Sequence, residues 1–173
     1  MERLTKGKIV EIPVHDEYYV YAQVLAHSCF AYFDARYSAS VQDIHDIDMS
    51  KVLFIVCSSV TDAVRAGRWR IRGKLPISPE LTTLPFEFIQ DGLNPYKFSL
   101  YNYETGEVTP ATREECEGLG RCAVWYDNHI EDRIYSHYTN TKCIWMRTID
   151  EEINRVNKQK EKYLQKLQQQ QAK

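Results

Sequence analysis

No stretch of this sequence approaches the about 18 consecutive apolar residues that a membrane-spanning helix needs, so no membrane partner is expected. The opening residues, Met1-Glu2-Arg3-Leu4-Thr5-Lys6, contain no apolar segment, so a secretory leader is not expected either. Gly-x-Gly-x-x-Gly and the P-loop are both missing, which removes the common phosphate-cradling classes. Cys-x-x-Cys is missing too. The five cysteines, at 29, 57, 116, 122 and 143, are odd in number and are read as reduced thiols of a cytoplasmic protein. Finally, there is no excess of positive charge: 22 Lys and Arg stand against 24 Asp and Glu, a net −2, which argues against a dedicated nucleic-acid binder.

What is present is a soluble chain of 173 residues, long enough for one domain with a real core. Its first half is written in short alternating runs. Lys8 to Val14 and Tyr18 to Leu25, joined by His15-Asp16-Glu17, read as a hairpin. Cys29 to Asp34 is a third strand. Lys51 to Val60 is the most continuous apolar run and is expected to be a central strand buried on both faces. From Gly67 to Tyr101 the pattern predicts the middle of a sheet. Trp69, Ile71, Gly73 and Leu75 alternate with Arg68, Arg70, Arg72 and Lys74, a period of two. A connector punctuated by Pro76, Pro79 and Pro85 follows, then the aromatic runs 86–89 and 98–101. The predicted fold is α+β: a twisted, mostly antiparallel sheet or partly open barrel with C-terminal helices packed on it. Trp69, Phe54, Val56, Phe33 and Val24 are expected in the core, with Trp125 at least half-buried.

Helical signals dominate after Ala111. Thr112-Arg113-Glu114-Glu115 is a capping box, in which the hydroxyl takes one orphan amide and the Glu another. Leu119, Cys122, Ala123, Tyr126, Ile130, Ile134 and Tyr138 step by three and four, predicting one longer helix with Asp127, Glu131 and Asp132 on its solvent face. Lys142 to Met146 reads as a last strand. A second capping box, Thr148 to Glu151, opens a tail whose stripe Ile149, Ile153, Val156, Tyr163 and Leu167 is interrupted by Lys160. The first half of that tail should dock and the second should fray. The expected division is therefore one domain over 1–148 and a helical tail over 149–173, with the chain a monomer or a weak dimer through that helix. The tail from Asp150 carries six Lys and Arg against four Asp and Glu, so the body before it is acidic.

The residue types of catalysis and metal binding occur, but not in the spacings those jobs need. The five histidines are scattered, and His129 and His137 lie two helical turns apart, too far to share a zinc ion unaided. Cysteines stand in no glycine-rich elbow. Asp43, Asp46 and Asp48 lack the glycine and terminal Glu of a calcium loop. No metal, cofactor or catalytic residue is assigned, and the chain is read as a non-enzyme.

A resemblance sharpens this. The opening Lys6-Gly7-Lys8-Ile9-Val10-Glu11-Ile12-Pro13, then Tyr21 to Leu25 and Phe33-Asp34, resembles the immunity protein 26 family of bacterial polymorphic toxin systems. The likeness continues through Trp69 to Pro76, Pro85-Phe86 with Gln90-Asp91, Ala111 to Leu119, Ala123-Val124-Trp125 and His129-Ile130-Glu131, and covers residues 6–135. Gly120 stands where that family often carries Glu. The resemblance implies a cytoplasmic protein that binds a cognate toxin and neutralises it. Many such toxins are nucleases with basic clefts, for which an acidic surface is the complement. Partner-binding residues are accordingly expected at Asp43, Asp46 and Asp48, at Glu87 and Asp91 in a second loop, and at Asp127, Glu131 and Asp132. Two alternatives stay open: a small hydrolase using Cys or His, and a nucleic-acid-binding barrel using the Arg68–Lys74 stripe.

Overall fold

The computed structural model describes residues 3–171. In chain order its elements are β1 (Lys8–Val14), β2 (Tyr18–Val24), β3 (Cys29–Phe33), β4 (Val52–Ser59), α1 (Thr61–Arg65), β5 (Arg70–Lys74), β6 (Glu87–Gln90), β7 (Phe98–Tyr101), β8 (Val108–Ala111), α2 (Arg113–Cys116), β9 (Gly120–Arg121), β10 (Trp125–Tyr126), α3 (Asp127–Tyr138) and α4 (Ile149–Gln171), with single 3-10 turns at Ile44–Asp46 and Pro79–Leu81. The fold is α+β with two open sheets, ordered β10-β4-β3-β2-β1-β5 and β8-β7-β6-β9. The chain forms two compact units. One takes the residues up to Pro85, Asn102–Gly106 and Ala123–Trp145; the other takes Phe86–Tyr101, Glu107–Cys122 and the chain from Met146 on.

The first unit holds the six-stranded sheet. Its β1, β2 and β3 are β-branched and aromatic and pair antiparallel in register, Val10 opposite Ala22 and Ala22 opposite Tyr32. Alternation sends Val10, Ile12, Val20, Phe30 and Tyr32 to one face, where Ala63 of α1, Trp69, and Ile130 and Ile134 of α3 cover them. Ile9, Tyr21, Ala31 and Phe33 go to the other face, covered by Ile47, Leu75 and Leu84 from irregular segments. The Lys51–Val60 run is a strand, as expected, but its place differs. β4 lies next to the sheet end and is half-buried over Val52–Ile55, while β1 to β3 form the doubly covered centre. The Trp69 segment is likewise not a sheet centre: β5 is the edge, and the runs after it belong to the second unit. Trp69 itself is fully buried, with Val24, Phe33, Val56 and Trp125 also buried and Phe54 partly so.

Both tight hairpins turn through pairs of left-handed residues that are not glycine: His15 and Asp16 (φ 49° and 58°) between β1 and β2, and His27 and Ser28 (φ 52° and 58°) between β2 and β3. These are type I′ geometries, whose twist matches the strands but which strain a side-chain-bearing residue. Ser28→Gly is therefore expected to raise stability by about 0.5–1 kcal/mol, read as a higher midpoint in urea with an unchanged slope. An unchanged or lower midpoint would show that this turn carries no relievable strain.

Three expectations are corrected. Cys29 and Cys57 are joined in a disulfide, because they are direct register partners of β3 and β4; Cys116, Cys122 and Cys143 remain thiols. The expected long helix is confined to α3: residues 119–126 are extended and supply β9 and β10, each paired in parallel to an existing strand. Nor is Lys142 to Met146 a strand. It is irregular, with Ile144 72% exposed and the Trp145 ring lying on His129, centroids 3.8 Å apart.

At the end of β3 the carboxylate of Asp34 is nearly buried and receives Lys51 Nζ at 2.5 Å and the Tyr138 hydroxyl at 3.1 Å, with His137 Nε2 at 3.4 Å. The Lys51 ammonium foremost, and then Tyr138, hold its carboxyl below the usual range against the opposing effect of burial. A depressed folded-state value contributes stability above the unfolded carboxyl value of about 4 that is lost as pH falls through the folded one. The stability gap between wild type and Asp34→Asn is therefore expected to be largest at neutral pH and to shrink below about pH 4 in acid unfolding. A gap independent of pH would exclude this linkage.

In the second unit, β6 is flanked by antiparallel β7 and parallel β9. Phe88, Phe98 and Cys116 form its core, with Leu100, Leu119 and Ile149 packed against them. Both capping boxes form: Thr112 with Glu115 ahead of α2, and Thr148 with Glu151 ahead of α4, whose Thr148 amide donates to Glu151 Oε2 at 2.9 Å. Arg113 pairs with Asp150 through two nitrogens at 2.7 and 2.8 Å. Along α4, Val156 is buried and Ile153 half-buried, whereas Tyr163 and Leu164 are 62% and 56% exposed. The helix persists to Gln171; the rest of the expected tail lies outside the described residues.

Candidate partner-binding surface

The irregular segment between β3 and β4 carries Asp43, Asp46 and Asp48. It is fixed to the sheet by a buried polar network. Glu11 interrupts the apolar run of β1 and is 1% exposed. Its Oε2 accepts from Tyr21 Oη at 2.8 Å, from Ser40 Oγ at 2.5 Å and from Arg72 Nη1. Arg72 Nη2 then donates to the Val41 carbonyl at 2.8 Å, and the Val41 amide donates to Tyr21 Oη at 2.8 Å. A carboxylate in a sheet interior requires such partners. Here they come from both β5 and the segment itself, so the same contacts that satisfy Glu11 hold the loop.

Beyond this anchor all three aspartates are exposed. Asp43 Oδ1 accepts from the His45 amide at 2.9 Å and caps the 3-10 turn. Asp48 Oδ1 accepts from the Ser50 amide at 2.9 Å, and the Ser50 side chain and amide hold its carboxyl below the usual range. Ile44 and Ile47 turn inward between the acids and join the core.

The other predicted residues fall differently. Asp127, Glu131 and Asp132 do share one face of α3, but that face is engaged within the unit. Arg68 pairs with both Asp127 and Glu131, and Glu131 Oε1 also accepts from the buried Trp69 Nε1 at 2.8 Å. Asp132 accepts from Trp145 Nε1 at 2.7 Å and meets His15 Nε2 at 3.2 Å. The three carboxylates thus tie α3 to its surroundings. Glu87, read as a loop carboxylate, is instead the first residue of β6 and 2% exposed; Gly120, its register partner on β9, has no side chain to occupy the space beside it. Asp91 sits in the turn after β6, where the Asn94 and Leu93 amides, each 2.8 Å from Oδ1, hold its carboxyl low.

The basic stripe does not survive as a continuous face. Arg68 and Arg72 are paired as above, leaving Arg70 and Lys74 exposed. Among the histidines, His15 meets Asp132, His27 meets Glu104 at 3.9 Å, His137 meets Asp34, and His129 stacks on Trp145. None of these contacts is to a Ser or Cys side chain. Among the described residues no three His, Cys, Asp or Glu side chains are grouped to hold a metal ion, and no helix is long and apolar enough to cross a membrane.

A feature missed from sequence is a cleft of about 500 Å³ in the first unit. It lies where the β1–β5 ladder ends at the Glu11–Arg70 pair. Pro13, which has no N–H to leave unpaired, lies on β1 just past that point. The hairpin turn His15-Asp16, Gly67 and Arg68 complete the walls with Arg70. The charge alternation of 68–74 was visible, but which of its cations lacks a partner depends on contacts some 60 residues away.

The immunity protein 26 family model matches residues 5–99, more than half of the chain. Comparison with curated proteins and with solved structures finds no match.

Proposed function

This chain belongs to the immunity protein 26 family, and from that premise we propose that it acts without catalysis, binding a cognate toxin domain and holding it inactive. The family match carries this reading. The arrangement of side chains supports it: Glu11, Asp34, Asp127, Glu131 and Asp132 are engaged in structural pairs, and Asp43, Asp46 and Asp48 lie exposed on an anchored loop. Asp43, Asp46 and Asp48 are the contact residues of this proposal. A rigidly held loop pays little ordering entropy on binding. Three exposed carboxylates that form no ion pair among the described residues suit a toxin with a basic active surface, such as a nuclease. The proposal places the protein in the cytoplasm, where a nuclease would have to be met, and as a monomer, since Lys160 interrupts the apolar stripe of α4.

Co-expression tests it. The toxin domain encoded beside this gene should arrest growth alone and be tolerated when the chain is present. Arrest undiminished by well-expressed, folded protein would overturn the proposal.

A further inference from the structure

Resting on that reading only for the identity of the partner, we infer that the cleft between β1, β5 and the His15-Asp16 turn is a recognition pocket for an acidic residue of a partner peptide segment. Arg70 lines the cleft and has no anionic partner among the described residues, whereas its stripe neighbours Arg68 and Arg72 are each committed to carboxylates. The acids in the walls do not compete for Arg70. Glu131 is held by Arg68, which it shares with Asp127, and by the Trp69 N–H. Glu11 is neutralised by Arg72 and bonded to Tyr21 and Ser40. What remains open is one cation, Arg70, and one anion, Asp16, which also has no partner among the described residues. That pair selects a ligand carrying both an acceptor group and a donor. An Asp or Glu within a peptide supplies both: its carboxylate for the guanidinium fork and a backbone N–H for Asp16. The volume suits a side chain with its flanking backbone, at the small end of the about 300–1,000 Å³ common for ligand pockets. The walls are also preformed. The turn is tied to α3 through His15–Asp132, and Arg68 ties the start of β5 to the same helix.

The test is an amide-shift NMR titration of the free protein with the capped tripeptide acetyl-Gly-Asp-Gly-amide, its Asn counterpart, and inorganic phosphate. The Asp peptide should give saturable shifts at Gly67, Arg68, Arg70 and the His15-Asp16 turn. Affinity should fall at least about tenfold in Arg70→Gln, and by less in Arg70→Lys, which keeps the charge but loses the fork. The Asn peptide and phosphate should bind at least about tenfold more weakly, since the neutral amide gives Arg70 no charged fork to grip and phosphate brings anionic oxygens, without a backbone N–H, against Asp16. Any of three results would overturn the inference: no shifts at these residues, shifts unchanged in folded Arg70→Gln, or phosphate binding as tightly as the Asp peptide. These outcomes need no toxin, so they are separable from failure of the immunity proposal, which would leave this pocket measurable.

Discussion

Arg72→Ala should cost about 3–5 kcal/mol, the largest effect of any single exposed-strand substitution in the first unit, because it strands the Glu11 carboxylate in the sheet interior. Glu11 is 1% exposed and Arg72 supplies its one cation. The loss reaches further than the pair. Arg72 also holds the Val41 carbonyl, and Tyr21 bridges Glu11 to the Val41 amide, so removing the guanidinium frees one end of the acidic loop. Chemical denaturation should show the drop in midpoint, and hydrogen exchange should show added opening between Ser38 and Ser50. Replacing both partners, Glu11→Leu with Arg72→Met, should recover most of the stability, since two apolar groups leave no unpaired charge. It should not restore the protection of the loop, which needs the Arg72–Val41 bond. A single mutant within about 0.5 kcal/mol of wild type would mean that water reaches Glu11 and that the loop is held by Ile44 and Ile47 alone.

The second large effect concerns association. Asp43→Lys with Asp46→Lys should slow binding to the cognate toxin by about tenfold to a hundredfold at low salt, and should flatten the dependence of the rate on ionic strength. Dissociation should change less, because exposed charges act mainly on encounter. The fold should tolerate both changes: the side chains are exposed, and Asp43 caps only a three-residue turn. An unchanged association rate would remove this loop from the interface even if the immunity proposal survived.

Much of the fold was legible because the relevant signals are local. The alternation of β1 to β3, both capping boxes and the apolar steps Ile130 and Ile134 lie within a few residues of one another. The boundary of α3 was misread for a related reason. Leu119, Cys122, Ala123 and Tyr126 have helical spacing, but Gly118 turns the chain with φ 82°, and β9 and β10 then pair with strands more than 30 residues earlier. Helical spacing in the sequence cannot register a ladder that distant strands complete. The site was less legible still. The acidic helix face looked solvent-directed, yet Arg68, some 60 residues earlier, claims two of its carboxylates. Glu87 reads as part of the Asp91 loop although it stands inside the aromatic run 86–89, and it is that run, β6, which claims it and buries it. One clue was present: a Glu in the middle of an apolar strand, at position 11, demands a buried partner, and the alternating Arg row was the nearest supply.

The most direct test of non-catalytic neutralisation is a titration of toxin activity with purified protein. Inhibition should rise linearly and reach completion at one molecule of this chain per toxin, with full activity regained when the complex is dissociated. Toxin that stays active in excess protein would contradict the account. So would inactivation far below equivalence, which would mean that the chain turns over and is an enzyme.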